Sequence, residues 1–303
     1  MMKFTKMVAI EPTKLLPEWD ERLKELADEA VFHDDIPENP TIIAERIGDA
    51  DCVLLSYTTQ IGAEVLEACP GIRYIGMCCS LYSPQSANVD ILRANDLGIV
   101  VEGARDYGDT GVKEYLIHAL VGRLQGRGAP MWKSDPMELT GVKIGVVGMG
   151  TLGTLVSETL RFFEADLHYY SRTRKPEIEE KLSCTYLPLN ELLETVEIVV
   201  TCLPKNVTLF GEQEFGCFGA GKIFMNVSIA PGHEIGALKK WLDLSDTFAL
   251  SDSVNGLGAE VAGLPNVIAG ERNAGLTCLA KHRLGQIVVA NAKDFLAQAN
   301  TSE

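Results

Sequence analysis

Gly148, Gly150 and Gly153 carry the spacing G-x-G-x-x-G, and their neighbours decide what that spacing is worth. The apolar run Ile144–Val147 precedes them, and a stretch with helical spacing, Leu152 to Phe163, follows. A strand that turns into a helix over three glycines is what a dinucleotide pyrophosphate requires. Gly148 takes the tight turn, Gly150 lets backbone approach the pyrophosphate, and Gly153 packs helix on strand. The first N–H groups of the helix and its positive dipole end then face the phosphates. An ordinary strand–turn–helix is the bland alternative, and the apolar strand before the glycines and the helix after them weigh against it.

The next strand selects the nucleotide. Leu167–Tyr170 runs into Ser171-Arg172-Thr173-Arg174-Lys175, about where an acidic residue would receive an adenosine ribose hydroxyl. No acid stands there. A serine hydroxyl and guanidinium forks suit a 2′-phosphate, which NADP carries and NAD lacks. The stretch therefore predicts NADP(H) in preference to NAD(H), against the plainer reading of a solvated basic turn.

The elements that must hold these residues are legible in outline. The chain has 303 residues, 46% of them hydrophobic, enough for one large or two medium domains. With 27 basic and 42 acidic side chains the net charge is −15, which disfavours nucleic acid and anionic membrane partners. No apolar run approaches the ~18–20 residues of a membrane span. The start, MMKFTKMVAIEP, lacks the apolar stretch of a signal peptide and reads as a first β-strand. Eight scattered cysteines without a C-x-x-C pair read as small buried hydrophobes kept reduced in a cytoplasmic protein, with no metal.

Short β-rich runs alternate with helical spacing: Met7–Ile10, then a helix over Trp19–Ala27, then strands at Cys52–Leu55, Tyr74–Met77 and Gly98–Val101 with helices near 61–68 and 88–95. That alternation predicts an α/β fold of parallel sheets with helices on both faces. Gly111–Leu124 reads as one long helix, followed by a turn-rich loop at Gly126–Trp132 and a second α/β unit from Lys143. Leu276–Ala297 is another long helix, expected to pack back on the first domain.

Together, GVVGMGTLG, YYSRTRK, Leu189–Leu193 before Val196–Val200, and Asn226 after Lys222–Met225 resemble the D-isomer-specific 2-hydroxyacid dehydrogenase family. YYSRTRK is especially similar to the glyoxylate/hydroxypyruvate reductase branch. Asn88-Val-Asp90, the Val112–Leu124 helix, Asn266–Ile268 and Ala274-Gly275 extend the likeness over most of the chain. The resemblance implies two Rossmann-like lobes: a flavodoxin-like substrate domain from residues 1–104 and 276–303, and an inserted NAD(P)-binding Rossmann domain from 105–275. It also implies a homodimer formed largely through the inserted domain, and hydride transfer to a small-molecule 2-keto acid. Cofactor contacts are implied from Thr151, Leu152, Ser171, Arg172, Thr173 and Arg174, from Cys202, Leu203, Pro204 and Asn206, from Asn226, Val227 and Ser228, and from Asp252, which corresponds to the acid that receives the nicotinamide carboxamide.

The family's catalytic set is not matched. Its substrate-clamping arginine stands three positions after the strand-end asparagine, where this chain has Ile229, and its proton-donating histidine falls on Arg272. Isoleucine cannot bind a carboxylate bidentately, and arginine stays protonated and cannot shuttle a proton. Losing a positioned general acid costs ~10²–10⁴ in rate. Glu260 is nearest to the family's glutamate. Arg272 as an anion anchor and Tyr82 as a hydroxyl donor are the remaining catalytic candidates. His233, Glu234, Cys78 and Cys79 are read as structural, and His118 as partly buried in the core or at an interface. Two readings follow: an NADPH-preferring oxidoreductase acting on an unidentified carbonyl or hydroxy-acid-like compound, or a catalytically inactive NADP(H)-binding sensor or interaction protein.

Overall fold

Parallel strands of almost wholly buried residues organise the protein, which was analysed as a computed structural model describing residues 2–128, 130–205 and 207–300. The chain divides into two units, Met1–Tyr107 with Thr277–Glu303, and Gly108–Leu276.

In the first unit the order is β1 (Phe4–Ala9), α1 (Pro17–Lys24), β2 (Ala27–Phe32), α2 (Pro40–Ile47), β3 (Cys52–Leu55), α3 (Ala63–Ala68), β4 (Tyr74–Ser80), α4 (Ile91–Asp96) and β5 (Val100–Ala104). The strands pair in the parallel order β2-β1-β3-β4-β5, the flavodoxin-like arrangement. The helix expected over Trp19–Ala27 ends at Lys24, and Ala27 instead opens β2, paired with Phe4 of β1. Leu23, Leu26 and Ala27 are all buried, so their spacing mimicked a longer helix. Asn39 caps α2 by accepting the Ile42 N–H at 3.1 Å, and Pro40 fills its first turn. Strand β4 runs past Met77 through Cys78 and Cys79, with a register shift before Ser80.

The second unit opens with α5 (Asp109–Gln125) and continues β6 (Lys143–Val147), α6 (Thr151–Phe162), β7 (Asp166–Tyr170), α7 (Pro176–Leu182), β8 (Thr185–Tyr186), α8 (Leu189–Thr195), β9 (Ile198–Thr201), α9 (Glu212–Phe218), β10 (Ile223–Asn226), α10 (Ile235–Leu242), β11 (Phe248–Ser251) and β12 (Val267–Ala269). Its seven parallel strands lie in the order β12-β11-β10-β9-β6-β7-β8, so the strand order reverses between β6 and β9. A crevice at such a switch point is where doubly wound sheets take nucleotides. His118 on α5 is exposed, not partly buried as expected; the apolar stripe that faces the sheet is Val112, Leu116, Leu120 and Leu124.

The last helix, α11 (Cys278–Ala299), belongs to the first unit. Leu284, Val288, Ala292 and Leu296 bury against β1 and β4, and Trp19 lies flat over Gly285, where any Cβ would enter the indole. Among the described residues, no helix is long and apolar enough to cross a membrane.

Candidate functional site

The turn after β6 is fixed by sterics. Gly148 sits at φ +100°, and a Cβ there would enter the Cys202 carbonyl at the end of β9. A Cβ on Gly153 would strike the Gly148 carbonyl, so helix and strand touch backbone to backbone. Gly150 is different: nothing lies within 4 Å of where its Cβ would stand. It is the N-cap of α6, with no side chain covering the first helical N–H groups, which belong to Thr151, Leu152 and Gly153. A tight turn, an open cradle at the second glycine and bare amides together fit a pyrophosphate.

At the end of β7 the basic stretch is sorted by its hydrogen bonds. Arg174 donates Nε and Nη2 to the Glu179 carboxylate at 2.8 and 2.7 Å. Tyr169 donates its hydroxyl to the same carboxylate at 2.8 Å and accepts the Lys175 N–H at 2.8 Å. The guanidinium, with help from the phenol, pulls the Glu179 carboxyl down to about 2. Arg172 and Thr173 are exposed and Ser171 is half-exposed.

The strand ends at β9, β10 and β11 are braced by polar side chains aimed inward. Asn226 is fully buried: its oxygen accepts from Thr201 at 2.6 Å and from the Ser228 N–H at 3.2 Å. Its amide nitrogen donates to the Gly256 and Ala230 carbonyls at 2.6 and 3.2 Å. Ser228 accepts the Leu203 N–H at 2.8 Å and donates to the Thr201 carbonyl at 3.2 Å. Val227 is buried as well. These three side chains, expected as cofactor contacts, are committed to the scaffold, leaving that segment its backbone. Cys202 is desolvated, which pushes its thiol up, and Asn206 lies outside the described residues. Asp252 is 7% exposed and accepts the Ala274 N–H at 2.7 Å; burial raises its carboxyl above the usual range.

The catalytic candidates differ in exposure and in partners. Ile229 is 56% exposed. Arg272 is exposed and makes no hydrogen bond or ion pair with any described residue. Glu260 is exposed in the turn after Gly258. Tyr82 belongs to the other unit, where its hydroxyl meets Asp106 at 3.4 Å and accepts the Asp106 N–H at 3.2 Å. His233 is a core residue, edge-on to Phe224 with ring centroids 5.3 Å apart and Nε2 3.1 Å from the Leu257 carbonyl; burial lowers its pKa. Cys78 and Cys79 are buried in β4, and burial holds the Cys78 thiol well up. No cluster of metal-ligating side chains occurs among the described residues.

Sequence reasoning missed two groups. The Tyr169–Glu179 pairing had one signal, an acid three residues after the helix-opening Pro176. Tyr115 on α5 had none: its hydroxyl is buried without a hydrogen-bond partner among the described residues, and the charge of Asp252 adds to desolvation in raising its pKa.

A reversed-order parallel sheet with a glycine turn at its switch point defines a dinucleotide-binding α/β protein. Residues 123–254 match the family model described as D-isomer specific 2-hydroxyacid dehydrogenase, NAD binding domain. A glyoxylate reductase of Thermococcus gammatolerans is 26% identical over 281 residues, 84% of this chain and 82% of that protein. A hydroxypyruvate reductase of Blautia hydrogenotrophica is 26% identical over 208 residues, 62% of this chain and 63% of that protein. A D-isomer-specific 2-hydroxyacid dehydrogenase-like protein from Polaromonas superposes with a TM-score of 0.80 at 21% identity, covering 99% of this chain and 98% of that one. Residues 123–254 thus match the NAD-binding domain of the D-isomer-specific 2-hydroxyacid dehydrogenase family, and the relatives at 26% identity are named as glyoxylate and hydroxypyruvate reductases.

Proposed function

We propose that this protein is an NADPH-preferring reductase of the D-2-hydroxyacid dehydrogenase type whose substrate is a carbonyl-like compound other than a simple 2-keto acid. The observation that carries the reading is a sterically enforced nucleotide turn in a chain with Ile229 and Arg272 at the family's arginine and histidine positions. Gly148, Gly150 and Gly153 with the Thr151 and Leu152 amides would hold the pyrophosphate, and Ser171, Arg172 and Thr173 the 2′-phosphate. The backbone of Cys202–Pro204 and Asn226–Ser228, with Asp252, would hold the nicotinamide end. When bound, such a cofactor supplies a hydride. Arg272 offers a permanent charge to an anionic group and no transferable proton, while Ile229 offers an apolar wall in place of a carboxylate clamp. The first unit would supply the substrate domain, and a homodimer would form through the second. None of the eight cysteines is joined in a disulfide, which suits a reducing cytoplasm.

The test is NADPH consumption, followed by absorbance, across aldehydes, ketones, keto acids and imino acids. Turnover of a compound outside the 2-keto acids supports the reading. Tight NADPH binding with no turnover anywhere in the panel overturns it. That result would favour a second reading, an inactive NADP(H)-binding sensor or interaction protein, which draws its support from the joint replacement of arginine and histidine.

A further inference from the structure

The cations of the Arg172–Lys175 stretch are not equivalent in the folded chain, and residues outside the stretch create the difference. Arg174 is held bidentately by Glu179 at 2.8 and 2.7 Å. Glu179 also accepts the Tyr169 hydroxyl, which in turn accepts the Lys175 N–H, each at 2.8 Å. Four residues thus link the end of β7, the connecting loop and the first turn of α7. The anchor is rigid: Tyr169 is fully buried, with its ring 5.5 Å from that of Tyr186 in an edge contact. Lys175 is tied by its peptide N–H and caps the entry to α7. Arg172 is exposed, with no hydrogen bond or ion pair to any described residue.

We propose that Tyr169, Glu179 and Arg174 form a clamp that fixes the Ser171–Thr173 segment, so that Arg172 is the guanidinium that reads the 2′-phosphate. Tyr169 and Glu179 are then positioning residues for cofactor choice, although neither touches the cofactor. The inference rests on the NADP(H) reading above. Its physical basis is that a guanidinium already forked onto a carboxylate can turn to a phosphate only by leaving that carboxylate unpaired. A free fork on a loop held at both ends has no such cost and loses little freedom on binding.

The test is calorimetric affinity for NADPH and for NADH, with melting temperature as a check on folding. The proteins are wild type, Arg172→Ala, Arg174→Ala, Glu179→Gln, Tyr169→Phe and the double variant Arg172→Ala/Glu179→Gln. Arg172→Ala is expected to weaken NADPH roughly ten- to hundredfold and to leave NADH unchanged. Glu179→Gln and Tyr169→Phe should each weaken NADPH severalfold, spare NADH, and add nothing once Arg172 is gone. Equal losses for both nucleotides in Tyr169→Phe would reduce the clamp to a structural feature and overturn it. So would an Arg174→Ala loss as large as that of Arg172→Ala, or tighter NADPH binding in Glu179→Gln. If wild type prefers NADPH and needs Arg172 but ignores Glu179 and Tyr169, the clamp alone is refuted. No NADPH preference in wild type overturns both the clamp and the reading beneath it.

Discussion

Along the carboxyl edge of the seven-stranded sheet, the turn after β6 and the segments after β10 and β12 are built to opposite standards. After β6 the backbone itself is constrained: Gly148 holds a left-handed φ, and Gly153 touches the Gly148 carbonyl. After β10 and β12 the side chains of Ile229 and Arg272 are exposed, and nothing in the packing dictates their type. Even Asn226 and Ser228, only one to three residues before Ile229, are bound into the scaffold. A change at Gly148 or Gly153 therefore disturbs the fold, whereas a change at Ile229 or Arg272 leaves it intact. Under the proposed function, that asymmetry would let a chain keep its glycine turn while the residue types at Ile229 and Arg272 vary.

The largest effect should come from breaking the constrained side. In Gly153→Ala the new Cβ meets backbone, which cannot rotate away. We expect a loss of about 3 kcal/mol, a melting temperature lower by roughly 6–12 °C, and no detectable NADPH binding by calorimetry. Gly150→Ala sharpens the contrast within one motif. Its Cβ enters open space, so stability should stay within about 0.5 kcal/mol while NADPH affinity falls at least about tenfold. Undiminished NADPH affinity in Gly150→Ala would remove the pyrophosphate from this turn.

The permissive side is tested by restoring what was replaced. Because Ile229 and Arg272 are exposed, Ile229→Arg with Arg272→His should fold normally. Glyoxylate or hydroxypyruvate reduction by the double variant is expected to rise by about 10² or more over wild type, in steady-state NADPH oxidation. An unchanged rate in a folded, NADPH-binding double variant would mean that more than these two positions has been altered.

The difference between the regions also governs what the sequence made legible. Buried parallel strands such as Ile198–Thr201 announce themselves because both faces are apolar, and Gly148 and Gly153 because sterics leave no other residue. Strand β2 was missed because Ala-Asp-Glu-Ala-Val-Phe lies at the sheet edge, where the consecutive Asp28 and Glu29 are both exposed and break the apolar alternation of a strand. Helix α2 was missed although Asn39-Pro40 is a helix-start signal. The inward aim of Asn226 was hidden, since its partners Gly256 and Ala230 are set by tertiary packing rather than by spacing. That Ile229 and Arg272 stand where the resemblance expects arginine and histidine was plain in the letters. No spacing argument reveals what stands in for them, because exposed positions carry no packing pattern.

The smallest expected effect is a difference of sign between two carboxylates, one beyond β7 and one directly after β11. Glu179, paired with Arg174, has its carboxyl pulled from 4.5 to about 2 in the folded chain. The folded state therefore binds fewer protons than the unfolded state in that interval, and the pair's stabilisation is present above pH 4.5 and lost as pH falls toward 2. Asp252 is raised above its ordinary 3.8 by burial, which reverses the argument. Its folded state holds a proton more readily, so its contribution is favourable at low pH and is lost as pH rises through the elevated value. Thermal melting of three proteins from pH 3 to pH 7 separates the two. Glu179→Gln should melt below wild type at pH 7, with the deficit closing under acid; the salt bridge is exposed on the arginine side, so the deficit should be modest. Asp252→Asn, whose amide oxygen can still accept the Ala274 N–H, should gain on wild type as pH rises from 3 to 7. Parallel pH curves for Asp252→Asn and wild type would show that burial imposes no cost on this carboxylate, and the contrast between the two regions would then rest on steric constraint alone.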